Sequence, residues 1–136
     1  MNVKIISKIT DSEGEVNEMT LFTEATYQSK SQKSFLMYDE SELSGLEGTK
    51  TLLIYDGEKV NIKRYGNVNS NLGIVMDESV ENIYRTQYGV FVMQTVGKQI
   101  HWNDEDGIHI KMRYQLVIEG DGTQTEVSIE IEEIKN

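Results

Sequence analysis

Hydrophobic and polar residues alternate along most of this chain. A period of two is typical of β-strands, because successive side chains point to opposite faces of a sheet. The pattern predicts strands at residues 3–10, 16–29, 34–39, 72–76, 80–87, 90–102 and 108–118, with further strands on both sides of residues 56–57 and after residues 121–122. No segment has the spacing and end signals of an ordinary helix, although residues 40–48 suit a short helical turn. Gly97 interrupts one long run and predicts a bulge or bend there.

The clearest hairpin signal is the pair Asp56-Gly57 between two strand-like runs. A type I′ turn needs positive φ at both central positions, which this pair tolerates. The cross-strand pairs predicted by a two-residue turn are Leu53 with Val60, Thr51 with Ile62 and Thr49 with Arg64. This mostly apolar face is predicted to point to the core. Arg64 then points inward, where it either pairs with an acid or anchors a ligand.

A second hairpin is predicted around Asp121-Gly122. With these two residues as the turn, the apolar pairs are Leu116 with Val127, Tyr114 with Ile129 and Met112 with Ile131. The same register pairs opposite charges on the other face, namely Arg113 with Glu130 and Lys111 with Glu132. Agreement between the two faces supports the hairpin.

Successive strands joined by short loops predict an all-β fold, an antiparallel meander. The length of 136 residues suggests one domain, residues 1–136. About eight to ten strands with one apolar face each can bury that face by closing into a barrel, which also removes exposed edges. A two-sheet sandwich is the alternative architecture.

The composition limits the classes of partner and of site that we expect. The formal net charge of −10 disfavours nucleic acid and anionic membrane surfaces, because both would be repelled. The absence of cysteine excludes a disulfide framework, a zinc thiolate site and a cysteine nucleophile. The first residues lack the apolar core of a signal peptide, so we expect a cytoplasmic protein. The oligomeric state stays open.

Several short motifs resemble the YwiB-like family of small bacterial proteins. They are Tyr38-Asp39-Glu40, Gly45, Gly48-Thr49-Lys50-Thr51, Arg64-Tyr65-Gly66, Tyr88-Gly89 and Thr95. The resemblance implies a calycin-type, lipocalin-like closed β-barrel, in a family that carries a domain of unknown function and no assigned activity. One departure is Gln87, where the family usually has proline before the Tyr-Gly pair.

Polar residues on the predicted strands and in the motifs beside them supply candidates for a ligand site inside the barrel. The candidates are Tyr38, Glu40, Thr49, Thr51, Arg64, Tyr84 and Tyr88. A barrel of this strand number either holds one small ligand or is filled by side chains. In the first interpretation Arg64 pairs with an acidic head group. In the second the tyrosines fill the core and Arg64 pairs with Glu40 or another acid.

The sequence offers few other candidates for a metal site or a catalytic site. His101 and His109 face each other across the predicted loop 103–107, but two histidines without a fixed third ligand indicate a solvated face rather than a metal site. No motif predicts catalytic residues or a cofactor. We therefore expect a barrel that binds a small hydrophobic or acid-headed ligand. The alternative is an acidic interaction module, with a filled barrel and a basic protein partner, and an enzyme ranks last.

Overall fold

A computed structural model describes residues 1–41, 46–67, 69–86, 88–120 and 122–135. The described residues form ten β-strands and no helix. The strands are β1 (Asn2–Thr10), β2 (Val16–Lys30), β3 (Lys33–Asp39), β4 (Thr49–Tyr55), β5 (Lys59–Gly66), β6 (Ser70–Val75), β7 (Ser79–Thr86), β8 (Gly89–Asn103), β9 (His109–Ile118) and β10 (Gln124–Glu133). The helical turn suggested for residues 40–48 falls largely on residues 42–45, which lie outside the described residues. Within the described part of the chain, no helix could cross a membrane.

All ten strands belong to one antiparallel sheet with the order β6-β5-β4-β3-β2-β1-β10-β9-β8-β7. Each paired neighbour in this order is consecutive in sequence except β1 and β10, whose pairing joins the two halves of the meander. The sheet curls until β6 and β7 meet, which gives a nearly closed barrel. The predicted all-β barrel is confirmed, and the sandwich alternative is wrong because a single sheet encloses the core.

The barrel interior is formed by the alternating apolar residues that the sequence pattern identifies. Every strand except β7 contributes at least one buried hydrophobic residue to the core, and β7 contributes the buried polar residue Asn82. The fully buried apolar side chains are Val3, Leu36, Leu53, Val60, Ile62, Ile74, Ile110, Met112 and Ile131. Burying each such side chain contributes about 1.5–3 kcal/mol, so this inner face supplies the main stabilisation of the fold.

Between β6 and β7 the barrel wall is held together largely by side chains. Isolated bridges join Asn69 to Arg85 and Val75 to Glu78, near the two ends of this seam. Between them, the amide of Gly73 donates a hydrogen bond of 2.8 Å to Oδ1 of buried Asn82. We use the name β6–β7 seam for this boundary between Ser70–Val75 and Ser79–Thr86.

The first predicted hairpin is present, but its register is wrong by two residues. Thr51 pairs with Arg64 and Tyr55 with Val60. The loop consists of Gly57 and Glu58, closed by a hydrogen bond of 3.3 Å from the amide of Asp56 to the carbonyl of Lys59. Gly57 has φ of +101° and occupies the first loop position, as in a type II′ turn. The shift is even, so the predicted inward face is unchanged.

Asp56 caps this turn instead of occupying it. Its carboxylate accepts hydrogen bonds of 2.8 Å from the amide of Lys59 and 2.9 Å from the amide of Glu58. These bonds to the ionised form hold the pKa of Asp56 below its ordinary value.

We expect Asp56→Ala to destabilise the exposed hairpin by less than about 1 kcal/mol at neutral pH. Because the folded pKa is depressed, this stabilisation is present above the unfolded value and is lost as pH falls through the folded value. Urea denaturation of both proteins should therefore show a difference that shrinks on acidification. Glu58→Ala, which removes an exposed carboxylate from the same turn, is the control. A difference that grows on acidification would contradict the assignment.

The second hairpin is also present with a register wrong by two residues. Met112 pairs with Ile129 and Tyr114 with Val127. β9 ends at Ile118 and β10 begins at Gln124, so the connection is longer than the predicted two residues, of which residue 121 lies outside the described residues. The amide of Glu119 donates to the carbonyl of Val92 on β8 (2.9 Å) instead of pairing with β10.

The charge pairs that followed from the predicted register are wrong as well. Lys111 lies opposite Glu130, and Arg113 lies opposite Ser128. The guanidinium Nε of Arg113 is 3.4 Å from a carboxylate oxygen of Glu126. Opposite charges still share the outer face, which is why the wrong register also produced plausible pairs.

The bulge predicted near Gly97 is confirmed. Its register with β9 shifts between Gly97 and Gln99. A Cβ atom on Gly97 would lie 2.6 Å from the carbonyl oxygen of Val75, so only glycine fits this close approach of two backbones. The carbonyl of Gly97 accepts a hydrogen bond of 2.9 Å from the amide of Asp77, which ties β8 to the turn after β6.

Candidate functional site

Aromatic side chains fill one end of the barrel. The ring of Tyr55 stacks on Trp102 with centroids 5.0 Å apart. The indole N–H of Trp102 donates to the hydroxyl of Tyr27 (3.0 Å), and that hydroxyl donates to the carboxylate of Asp104 (2.7 Å). Each polar tip in this layer has a partner, which favours a structural role for this end.

A cavity of about 260 Å³ lies towards the opposite end of the barrel. Its wall comes from β1, β2, β3, β5, β6, β9 and β10 and from residues 40, 41 and 46. The lining residues are Ile5, Ser7, Ile9, Met19, Leu21, Tyr38, Glu40, Ser41, Leu46, Arg64, Leu72, Tyr114, Leu116, Val127 and Ile129. Ile9 is 43 % exposed, so the cavity reaches the barrel end.

The polar residues of this mostly apolar wall are two serines, Ser7 and Ser41, and four residues that carry a charge or a phenol. Tyr38 is the last inward-facing residue of β3. Glu40 comes two residues later, and its amide continues the strand pairing by donating a hydrogen bond of 2.9 Å to the carbonyl of Thr49. Arg64 comes from β5 and Tyr114 from β9. We call Tyr38, Glu40, Arg64 and Tyr114 the polar cluster.

Glu40 is held in place by a neighbouring strand. The hydroxyl of Thr51, a fully buried residue of β4, donates a hydrogen bond of 2.6 Å to the Glu40 carboxylate. Thr51 also pairs with Arg64 across the β4–β5 hairpin. The register of this hairpin therefore sets where the anionic and cationic side chains lie.

Arg64 carries a polar atom whose hydrogen-bonding capacity the described residues leave unused. Its Nε atom is buried and, among the described residues, has no hydrogen-bond partner. Leaving a buried donor unpaired costs about 1–3 kcal/mol, and more for a charged group. An anionic group in the cavity could accept a hydrogen bond from Nε and offset that cost.

Both tyrosines of the polar cluster stay protonated at neutral pH. Burial raises the pKa of Tyr38, and the negative charge of Glu40 raises it further, against an opposing effect of Arg64. Burial likewise raises the pKa of Tyr114, again opposed by Arg64. The hydroxyl of Tyr114 is therefore available as a neutral donor, whereas that of Tyr38 interacts with Glu40.

The candidates from the sequence fall into two groups. Tyr38, Glu40 and Arg64 line the cavity, and the hydroxyl of Thr51 donates a hydrogen bond to Glu40. Three further candidates do not line it: Thr49 is buried on β4, Tyr84 packs half-buried against the core, and Tyr88 is 84 % exposed.

Tyr114 is a cavity residue that the sequence reasoning did not select. It lies on β9, far along the chain from the other members of the cluster, and only barrel closure brings it near them. Its hydroxyl in an otherwise aliphatic row on the inner face is the signal that could have identified it.

The two histidines are neighbours on the outer surface. The rings of His101 and His109 are 5.4 Å apart in an edge-to-face arrangement, and Nε2 of His109 is 3.5 Å from a carboxylate oxygen of Glu130. Within the described ranges, no three or more side chains are grouped so that they could hold a metal ion.

The ten-stranded meander with a cavity at one end defines a lipocalin-like β-barrel. Residues 3–131 match the family model described as Domain of unknown function (DUF1934), and the chain belongs to that family. The crystal structure of the ywiB protein from Bacillus subtilis is similar in fold, with a TM-score of 0.79 and 24 % sequence identity over 98 % of this chain and 91 % of that chain. A search of curated proteins found no significant match.

Proposed function

We propose that this barrel binds a small amphiphile with an acidic head group. The single observation that carries the proposal is the buried Nε of Arg64, which has no hydrogen-bond partner among the described residues and lies in the wall of a mostly apolar cavity. Ligand pockets commonly combine an apolar wall with a few polar anchors that fix orientation. Here Arg64 is the anchor, and the aliphatic side chains of β1, β9 and β10 contact the tail.

The cavity volume limits the size of the ligand. At about 260 Å³ it is slightly smaller than the pockets of about 300–1,000 Å³ that hold drug-sized molecules. It corresponds to the volume of about nine water molecules. A medium-chain acid fits this limit better than a long-chain lipid, so octanoate is the probe of choice.

The guanidinium geometry favours a carboxylate as head group. Arginine presents its N–H groups in a planar fork, and a carboxylate can accept two of them in parallel. The protonated hydroxyl of Tyr114 lines the same cavity and can donate to a remaining lone pair of the carboxylate. A bound carboxylate would thereby receive more than one charge-assisted hydrogen bond.

We expect isothermal titration calorimetry to detect octanoate binding and Arg64→Met to weaken it by about 10- to 100-fold. A hydrogen bond to a charged group contributes about 1.5–3 kcal/mol, which sets that range. Octanol, which has the same chain and no charge, should bind weakly to both proteins. Arg85→Met, the same substitution at an exposed site on β7, is the matched control and should leave octanoate affinity unchanged.

Two outcomes would contradict the proposal. One is equal binding of octanoate to the wild type and to Arg64→Met, and the other is no binding to a correctly folded wild type. In the second case the acidic interaction module becomes the better interpretation, since the net charge is −10. Its signature is association with a basic protein that weakens steeply as salt is added.

A further inference from the structure

Among the described residues, the cavity wall carries one cation and one anion, and these do not pair with each other. Arg64 and Glu40 both line the cavity. The ion pairs among the described residues join other side chains, and none includes Arg64 or Glu40. Glu40 instead accepts a hydrogen bond from Thr51, and Nε of Arg64 has no partner among the described residues. Two opposite charges are thus held apart on the wall of one small cavity.

Charge balance limits what such a cavity accepts. Tyr38 and Tyr114 are neutral, so among the described lining residues the formal charges of Arg64 and Glu40 sum to zero. A ligand with only a negative charge would leave the filled site with a net negative charge. Burying an uncompensated charge is costly, and the carboxylate of Glu40 would repel the ligand. A ligand with both charges would leave the site neutral.

The Glu40 carboxylate retains capacity for a cation. A carboxylate offers about four lone-pair positions, and Thr51 uses one of them on Oε1. The interaction with Tyr38 uses another at most. An ammonium group with its three N–H donors could fill the remaining positions while its neighbouring carboxylate contacts Arg64.

We propose that the head group of the ligand is zwitterionic, and that the cavity binds an α-amino acid with an apolar side chain. The carboxylate contacts Arg64 and the α-ammonium contacts Glu40. The inference rests on the proposed function, because it keeps Arg64 as the carboxylate anchor and adds a second anchor beside it. The apolar side chain faces the aliphatic part of the wall, which includes Ile5, Leu21, Leu72, Leu116, Val127 and Ile129.

The test compares octanoate with L-2-aminooctanoate, which has the same chain and carboxylate plus an α-ammonium group. Calorimetry on the wild type should show aminooctanoate binding at least about tenfold more tightly than octanoate, as expected for one added charge-assisted contact. Glu40→Gln should reverse this preference: it should weaken aminooctanoate about tenfold and strengthen octanoate, since the repelling charge is gone. Glutamine keeps an acceptor for Thr51, and a urea denaturation curve checks that the variant is folded.

Glu47→Gln, which neutralises an exposed carboxylate in the same connection, is the matched control and should change neither affinity. The inference is overturned if octanoate binds as tightly as aminooctanoate, or if Glu40→Gln weakens both ligands equally. In either case Arg64-dependent octanoate binding leaves the proposed function intact. If neither compound binds the folded wild type, both the inference and the proposed function fail.

Discussion

Replacing Leu36 with alanine is expected to lower the free energy of unfolding by about 2–5 kcal/mol. Leu36 is fully buried in the middle of β3, where it pairs with Tyr27 on one side and Leu53 on the other. The substitution removes apolar contacts and leaves a cavity in an interior that is already close-packed. A loss of this size is a large share of the total stability of a typical small domain.

The neighbouring residue provides the control for this prediction. Met37 lies on the same strand with its side chain on the outer face and is 37 % exposed. Met37→Ala should therefore cost less than about 1 kcal/mol. Urea denaturation of the three proteins measures both values, with equal slopes required for the comparison. Similar losses for the two variants would contradict the assignment of Leu36 to the inner face.

Asn82→Ala is expected to destabilise the barrel by about 2–4 kcal/mol, mainly at the β6–β7 seam. The buried amide of Asn82 accepts from Gly73 (2.8 Å) and donates to Val80 (3.1 Å) and Thr95 (3.2 Å). The Thr95 hydroxyl in turn donates to the carbonyl of Gly73. Alanine leaves the Gly73 amide without its acceptor at a place where few backbone bonds join the strands.

Hydrogen exchange locates the effect. The amides of Ser70–Val75 and Ser79–Thr86 should exchange faster in Asn82→Ala, while those of β1 and β10 keep their protection relative to global unfolding. Asn71→Ala removes an exposed side-chain amide from the same seam and should change the exchange rates of the backbone amides little. Uniform acceleration throughout the sheet would mean that Asn82 acts on global stability and does not hold the seam locally.

Alternation predicted which face of each strand is buried, but it could not determine register. In both hairpins the true register differs by two residues from the predicted one, as Thr51 opposite Arg64 and Tyr114 opposite Val127 illustrate. An even shift leaves every side chain on its original face, so the hydrophobic pattern is equally satisfied. The register is determined by backbone hydrogen bonds, such as that from the amide of Glu119 to the carbonyl of Val92 on a third strand.

The candidate site was predictable where it is built from adjacent strands. Tyr38, Thr51 and Arg64 come from three consecutive strands, so a correct inward face was enough to bring them together. Tyr114 could not be placed beside them, because that needs the curvature of the whole barrel. Tyr88 followed from a motif in the chain, yet it lies on an exposed turn. The motif carried no information about side-chain direction.

The pairing of β1 with β10 has a consequence for how the chain folds. β1 is the first of the described strands to leave the ribosome and β10 the last, so one edge of β1 stays without its partner until β10 has been synthesised. An unpaired edge invites association with other chains. Lys4 and Lys8 lie on the outer face of this strand, where charge opposes such association. Replacing both lysines with neutral residues is expected to lower the yield of folded protein more than it lowers the free energy of unfolding.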